Sequence, residues 1–179
     1  MVENRPHIAF FSQTGSEIAN IAKATGEWPD LIVTNKRPDN LRKIDKRIEG
    51  KVVTVSNRPT TQELQAILGN YDNPIVTLHG WLRIMPESIC KEYNIFNGHP
   101  GLITEYPELK GKDPQIRAFK AKLPVMGCVI HKVTAGVDEG KVLAEERFNA
   151  FEISEQEMWD TMKDRSLYLW VNFLKELKD

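Results

Sequence analysis

His7-Ile8-Ala9-Phe10-Phe11, Ser12-Gln13-Thr14-Gly15-Ser16 and Glu17-Ile18-Ala19-Asn20-Ile21-Ala22 follow one another without a break. The first run is short and apolar with no helical period, and it reads as a buried strand. The second is a cluster of turn formers. The third places apolar residues at 18, 19, 21 and 22, the spacing of one helix face. A strand, a tight loop and a helix over residues 16–25 therefore open the chain, with Ile18, Ala19, Ile21 and Ala22 turned toward a sheet.

The same unit recurs downstream. Leu31-Ile32-Val33-Thr34 and residues 51–56 read as further strands, with a charged helical stretch expected over residues 40–48 between them. Thr60 and Glu63 have the spacing of a capping box that opens a helix through Leu64, Ile67 and Leu68, and Ile75-Val76-Thr77-Leu78 is a fourth strand. Residues 86–93 predict a helix entered through Pro86, and Ile95 and Phe96 form the core of a fifth strand. Strands that alternate with helices need crossover connections, so the fold class is α/β: a Rossmann-like, mostly parallel sheet with helices on both faces. Ligand sites in such sheets gather at the carboxyl ends of the strands.

The second half changes character. Residues 101–113 are rich in Gly, Pro and charge and read as an active-site loop, and residues 114–120 as a short helix. Residues 127–133 and 141–148 are strand-like, and the link between them is too short for a parallel crossover. They are expected to form an antiparallel hairpin at the C-terminal end of the sheet. Ser154 and Glu157 make a second capping box before a long helix with Met158, Met162, Leu169, Phe173 and Leu177 along one face.

Composition narrows the function classes. At 179 residues and 41% apolar content the chain has the size of one core, so residues 1–179 are expected to form a single domain. A formal net charge of -1 comes from scattered acids and bases, which argues against nucleic acid as a partner. Cys90 and Cys128 lack the spacing of a metal cluster or a disulfide framework and read as core thiols in a reducing compartment. The N-terminal residues lack the long apolar region of a signal peptide, and no apolar run approaches membrane-spanning length, so a cytoplasmic enzyme is expected.

The most informative stretch is Phe96-Asn97-Gly98-His99-Pro100. In extended backbone, residues two apart point to the same side, so Asn97 and His99 can address one reacting atom. Read locally, Asn-Gly before a proline describes a turn equally well. Asp138 beside Gly140 reads on its own as a turn acid.

Several separated segments match one pattern in order, and on them the chain resembles the folate-dependent formyltransferase family. These are Asn97-Gly98-His99-Pro100, Val133-Thr134-Ala135-Gly136-Val137-Asp138-Glu139-Gly140, Leu78-His79-Gly80-Trp81-Leu82-Arg83-Ile84-Met85 and Ser12-Gln13-Thr14-Gly15-Ser16. The resemblance implies the formyltransferase fold and a one-carbon transferase, with 10-formyltetrahydrofolate as co-substrate and no metal. The acceptor would be a small-molecule amine, either a nucleotide such as glycinamide ribonucleotide, as in purine biosynthesis, or an amino sugar. The catalytic residues it implies are Asn97, His99 and Asp138. Preorganised donors such as the Asn97 amide stabilise charge on the formyl oxygen, while an imidazole oriented by a carboxylate moves protons. It implies a folate pocket of Leu82, Arg83, Ile84, Met85, Thr134, Ala135, Gly136 and Val137. It implies acceptor contacts at Gln13, Thr14, Gly15, Ser16, Tyr106 and Asp164. Leu82, Ile84 and Met85 also suit ordinary core packing. His131 matches a histidine of the purine-pathway enzymes, although a strand histidine is more often structural.

The acceptor side departs from the purine enzymes, where the resemblance places an Asn that helps hold the substrate phosphate at a helix N-terminus. Glu17 stands at that position, and a carboxylate there would repel a phosphate. The plainer expectation is that Glu17 is a first-turn residue pointing to solvent. Residues 104–108 likewise depart from the family's loop, suggesting a more cationic or less phosphorylated acceptor, and the lack of a following domain argues against a transfer-RNA substrate. Two other readings share this sequence: a hydrolase that delivers the formyl group to water, and a silent nucleotide-binding module. The intact Asn97, His99 and Asp138 set weighs against the second. The sequence says nothing of oligomeric state.

Overall fold

The computed structural model describes residues 5–135 and 138–178. Five strands, β1 (His7–Phe11), β2 (Leu31–Thr34), β3 (Val52–Thr54), β4 (Ile75–Leu78) and β5 (Asn94–His99), run parallel, and β6 (Val125–Lys132) and β7 (Val142–Asn149) run antiparallel to their neighbours. The order across the sheet is β3-β2-β1-β4-β5-β6-β7. The direction of winding reverses between β1 and β4, and that switch point opens a crevice at the strands' carboxyl ends. This is the expected α/β architecture, with the expected hairpin as its last two strands.

Alternation along β1 shows how the sheet is covered. Ile8 and Phe10 pack with Leu64 and Leu68 of α2 (Thr61–Leu68) and Ile89 of α3 (Glu87–Glu92). Ala9 and Phe11 pack on the opposite face with Ile18 and Ala19 of α1 (Ser16–Thr25). α4 (Pro114–Lys120) follows the long loop, and α5 (Glu155–Lys178) lies against β6 and β7 through Met158, Met162, Trp170 and Phe173. Both capping sites form. The Thr60 side chain accepts from the Glu63 amide and Glu63 returns a bond to the Thr60 amide, while Ser154 accepts from the Glu157 amide.

Two local expectations are corrected. Residues 40–48 do not form an α-helix. Two short 3-10 turns, Pro38–Lys43 and Lys46–Ile48, replace it, because Ile44 between them is extended and Asp45 caps the second turn by accepting from the Arg47 amide. The strand expected around Ile95 and Phe96 continues through His99, so Asn97 and His99 lie within β5 rather than after it. No helix among the described residues is long and apolar enough to cross a membrane.

Candidate active site

β4 ends at Leu78, which pairs with Asn97 of β5, so Gly98 and His99 extend past β4 into the crevice. On the other side of β5, antiparallel pairing sets Asn97 opposite His131 of β6. These registers place the two sequence-predicted side chains and His131 on one wall of a cleft of about 830 Å³.

The polar end of the cleft is a connected cluster. The Asn97 amide lies 3.1 Å from His131 Nε2, and His131 Nδ1 donates to the Lys132 carbonyl at 3.1 Å. That second bond needs a proton on Nδ1; Nε2 accepts from Asn97 when it is bare and donates to Asp138 when it also carries a proton. Asp138 comes from the hairpin connection. It sits between the two histidines, with Oδ1 at 3.3 Å from His131 Nε2 and Oδ2 at 3.4 Å from His99 Nδ1. Its backbone is left-handed, φ 51°, a conformation aspartate tolerates better than most residues. Gly140 follows, and a Cβ there would fall 1.5 Å from the Lys132 carbonyl oxygen, so only glycine lets the connection lie this close to β6.

The loop of residues 101–113 closes the cluster. Leu109 offers its carbonyl to His99 Nε2 at 2.8 Å, and the Gly111 amide donates to Asp138 Oδ2 at 2.8 Å. Arg117 of α4 holds this loop by donating to the carbonyls of Glu108, Leu109, Lys110 and Lys112 at 2.6, 3.2, 3.0 and 2.9 Å. Burial holds the His99 pKa below its usual value despite the opposing pull of Asp138. For Asp138, burial works toward protonation, but the His131 hydrogen bond and the nearby His99 outweigh it and favour the carboxylate. The resting pair is therefore a neutral His99, with Nε2–H engaged and Nδ1 bare, beside an anionic Asp138.

The apolar end is walled by Leu82, Ile84, Met85, Val133 and Trp159. Leu82 and Ile84 are 63% and 69% exposed, so they are cleft surface and not core, whereas Met85 at 2% exposure is both core and cleft floor. Arg83 also lines the cleft and donates to the carbonyl and side-chain oxygen of Asn57 at 2.9 and 3.0 Å. Thr134 lines the cleft, Ala135 is exposed, and Gly136 and Val137 lie outside the described residues.

The acceptor-side residues are brought together less completely. Gln13 lines the cleft. Thr14 donates to the Ser16 hydroxyl at 3.0 Å, and Gly15 is buried under Ile48. Tyr106 packs against the core beneath β6 and is not part of the cleft wall, because its loop turns inward after Leu102. Asp164 is exposed on α5 and does not reach the cleft. Glu17 does not point to solvent. It accepts from His79 Nδ1 at 2.7 Å and from the Ser166 hydroxyl at 2.9 Å. Sequence reasoning ranked His131 as secondary and missed Trp159 and Arg117; a long helix and a short one carry these last two, and nothing in their local pattern marks them. Among the described residues no cluster of three or more His, Cys, Asp or Glu side chains forms a metal-binding group.

A carboxamide, two imidazoles and a carboxylate meet in one cleft at the carboxyl ends of a doubly wound sheet, an arrangement suited to polar group transfer. The family model for formyl transferases matches residues 7–174, and the chain belongs to that family. It is 31% identical over 93 residues to a phosphoribosylglycinamide formyltransferase of Bacillus subtilis (strain 168), a match covering 51% of this chain and 45% of that protein. It is 25% identical over 167 residues to the trifunctional purine biosynthetic protein adenosine-3 of Bos taurus, covering 86% of this chain and 16% of that protein. These alignments thus span less than half the length of the curated relatives. Its fold superposes on the crystal structure of phosphoribosylglycinamide formyltransferase from Anaplasma phagocytophilum with a TM-score of 0.84 at 21% identity, covering 98% of this chain and 88% of that one.

Proposed function

We propose that this chain is a formyltransferase that moves a formyl group from 10-formyltetrahydrofolate to the amine of a small-molecule acceptor, a nucleotide such as glycinamide ribonucleotide or an amino sugar. It would act in the cytoplasm as a single catalytic domain, with no nucleic acid or membrane as partner. The observation that carries this reading is the convergence of Asn97, His99, His131 and Asp138 at one end of a cleft whose other end is apolar.

Attack of an amine on a formyl carbon places negative charge on the formyl oxygen. One N–H of the Asn97 amide is held by His131, which orients the group and leaves the other N–H free to donate to that oxygen. The amine sheds a proton as it attacks. Neutral His99 and anionic Asp138 together carry one negative charge and take up one proton, becoming an ion pair at Nδ1 and Oδ2. The same proton then goes to the departing nitrogen of the donor. Leu82, Ile84 and Trp159 offer the apolar walls a folate needs, and a cleft of about 830 Å³ falls in the size range of ligand pockets.

Incubation of purified protein with 10-formyltetrahydrofolate and a panel of amines, with tetrahydrofolate release as the signal, tests the proposal. Amine-dependent release abolished by Asn97→Ala and His99→Ala is expected. Formate without any amine would make water the acceptor, and the absence of both release and folate binding would remove the reading.

A further inference from the structure

In open parallel sheets the first helix that starts beside the cleft offers its free N–H groups and positive dipole end to ligand phosphates. Here that helix is α1, which begins at Ser16, three residues after the cleft-lining Gln13. In this chain the position is already filled from three sides.

Glu17, in the first turn, is anchored by His79 and Ser166, with about a third of its side chain reaching solvent. Burial works against its charge, but the His79 hydrogen bond outweighs it and, with Ser166 and the nearby Trp170 indole, keeps the carboxylate ionised. Among the described residues that indole N–H has no hydrogen-bond partner of normal geometry, so its help is electrostatic. Asp45, the cap of the Lys46–Ile48 turn, brings a second carboxylate against the loop that enters α1. Its amide donates to the Thr14 carbonyl at 2.8 Å, and its carboxylate is paired with Arg47 at 2.7 Å, which holds its pKa below the usual range. The Ser16 amide is occupied by the Thr14 hydroxyl at 3.3 Å. Ile48 covers the third side: a Cβ on Gly15, itself at φ 73°, would fall 2.4 Å from the Ile48 Cδ1.

We infer that the acceptor carries no phosphate where it meets α1, with Glu17 and Asp45 as the residues that reject the phosphate ester. This inference rests on the formyltransferase reading and narrows its acceptor. A carboxylate that satisfies the helix dipole itself leaves a phosphate with neither free donors nor a favourable field. A loop built to cradle an anion would instead leave its amides unpaired and keep acidic side chains away.

Two measurements test it. Ribose 5-phosphate is titrated into wild-type protein while the backbone amides of Gly15, Ser16 and Glu17 are followed by NMR, a readout independent of turnover. No saturable shift up to about 10 mM is expected, and saturable binding with a Kd below about 1 mM at those amides would overturn the inference. In the second, kcat/KM is compared for glycinamide ribonucleotide and its dephosphorylated nucleoside with the same folate donor. A ratio of phosphorylated to unphosphorylated acceptor at or below one supports the assignment, and a ratio above one contradicts it. Glu17→Gln, which keeps a partner for Ser166 and removes the charge, should raise that ratio by about tenfold, the effect of a like charge close to a phosphate in a partly buried site. Absence of transfer to both acceptors would tell against the formyltransferase reading alone, because the titration still reads the anion position.

Discussion

Arg117→Met removes a guanidinium that donates to four backbone carbonyls, those of Glu108, Leu109, Lys110 and Lys112, while keeping much of the aliphatic stem. The loop it holds supplies the Leu109 carbonyl to His99 and the Gly111 amide to Asp138. Hydrogen bonds to charged groups contribute about 1.5–3 kcal/mol each in buried settings, but water can replace those that lie at the surface. Three of the four Arg117 bonds are exposed, and the one to Leu109 is partly buried. A local loss of about 2 kcal/mol in loop closure is therefore expected, well below the sum of four charged bonds. The Gly111 amide, protected by Asp138, reports this opening directly: about 2 kcal/mol is roughly a 30-fold acceleration of its hydrogen exchange. Amides of β1 and β4, in the middle of the sheet, should keep their protection. Formyl transfer should fall by about 10- to 100-fold, because His99 and Asp138 lose the loop contacts that set their geometry. Gly111 exchange within a factor of about two of wild type in a folded Arg117→Met protein would refute the argument that this guanidinium holds the loop.

Asp138→Asn removes charge and little volume, so folding and folate binding should persist while kcat falls by about 10²- to 10³-fold; near-normal turnover would take Asp138 out of the mechanism. His7 is buried, and burial, with smaller contributions from His79 and Lys178, pushes its pKa from 6.5 down to about 3. The unfolded chain then binds a proton that the native state refuses between those values, so stability falls with decreasing pH across that window. Urea denaturation at pH 7 and pH 4.5 should show wild type losing about 2–3 kcal/mol more than His7→Gln, and equal losses would contradict the assignment. Gly98→Ala would bring a Cβ to 2.7 Å from the Trp170 indole nitrogen. It should destabilise the protein by about 1–3 kcal/mol and alter the near-ultraviolet circular dichroism of Trp170, whereas an unchanged spectrum and Tm would show that the ring moves aside freely.

The parts of the fold that rest on local chemistry were legible in the sequence. α1 begins and ends where the spacing of Ile18, Ile21 and Ala22 and the flanking turn residues place it, and the Thr60–Glu63 box forms as its spacing requires. Residues 40–48 misled, because a charged stretch with few apolar residues is compatible with helix propensity but has too little to bury, and two short turns capped by Asp45 won instead. Asn97, His99 and Asp138 could be selected because they fall in ordered motifs. His131 could not be ranked with them, because a histidine in a strand looks the same whether its partner is solvent, a carbonyl or Asn97.

The sequence by itself determined the alternation of strands and helices, the antiparallel end of the sheet and the types of side chain available for formyl chemistry, since these follow from periodicity, capping and short connections along the chain. Only the tertiary structure decided what each polar group faces. The register of β5 on β6 sets Asn97 against His131, the 101–113 loop sets Leu109 against His99, and the packing of α5 over α1 brings Ser166 to Glu17. These contacts join residues 10 to 149 positions apart, and one-dimensional spacing carries no information about such pairs. For this reason the donor chemistry was visible in the motifs, while the partners that hold Glu17 were not.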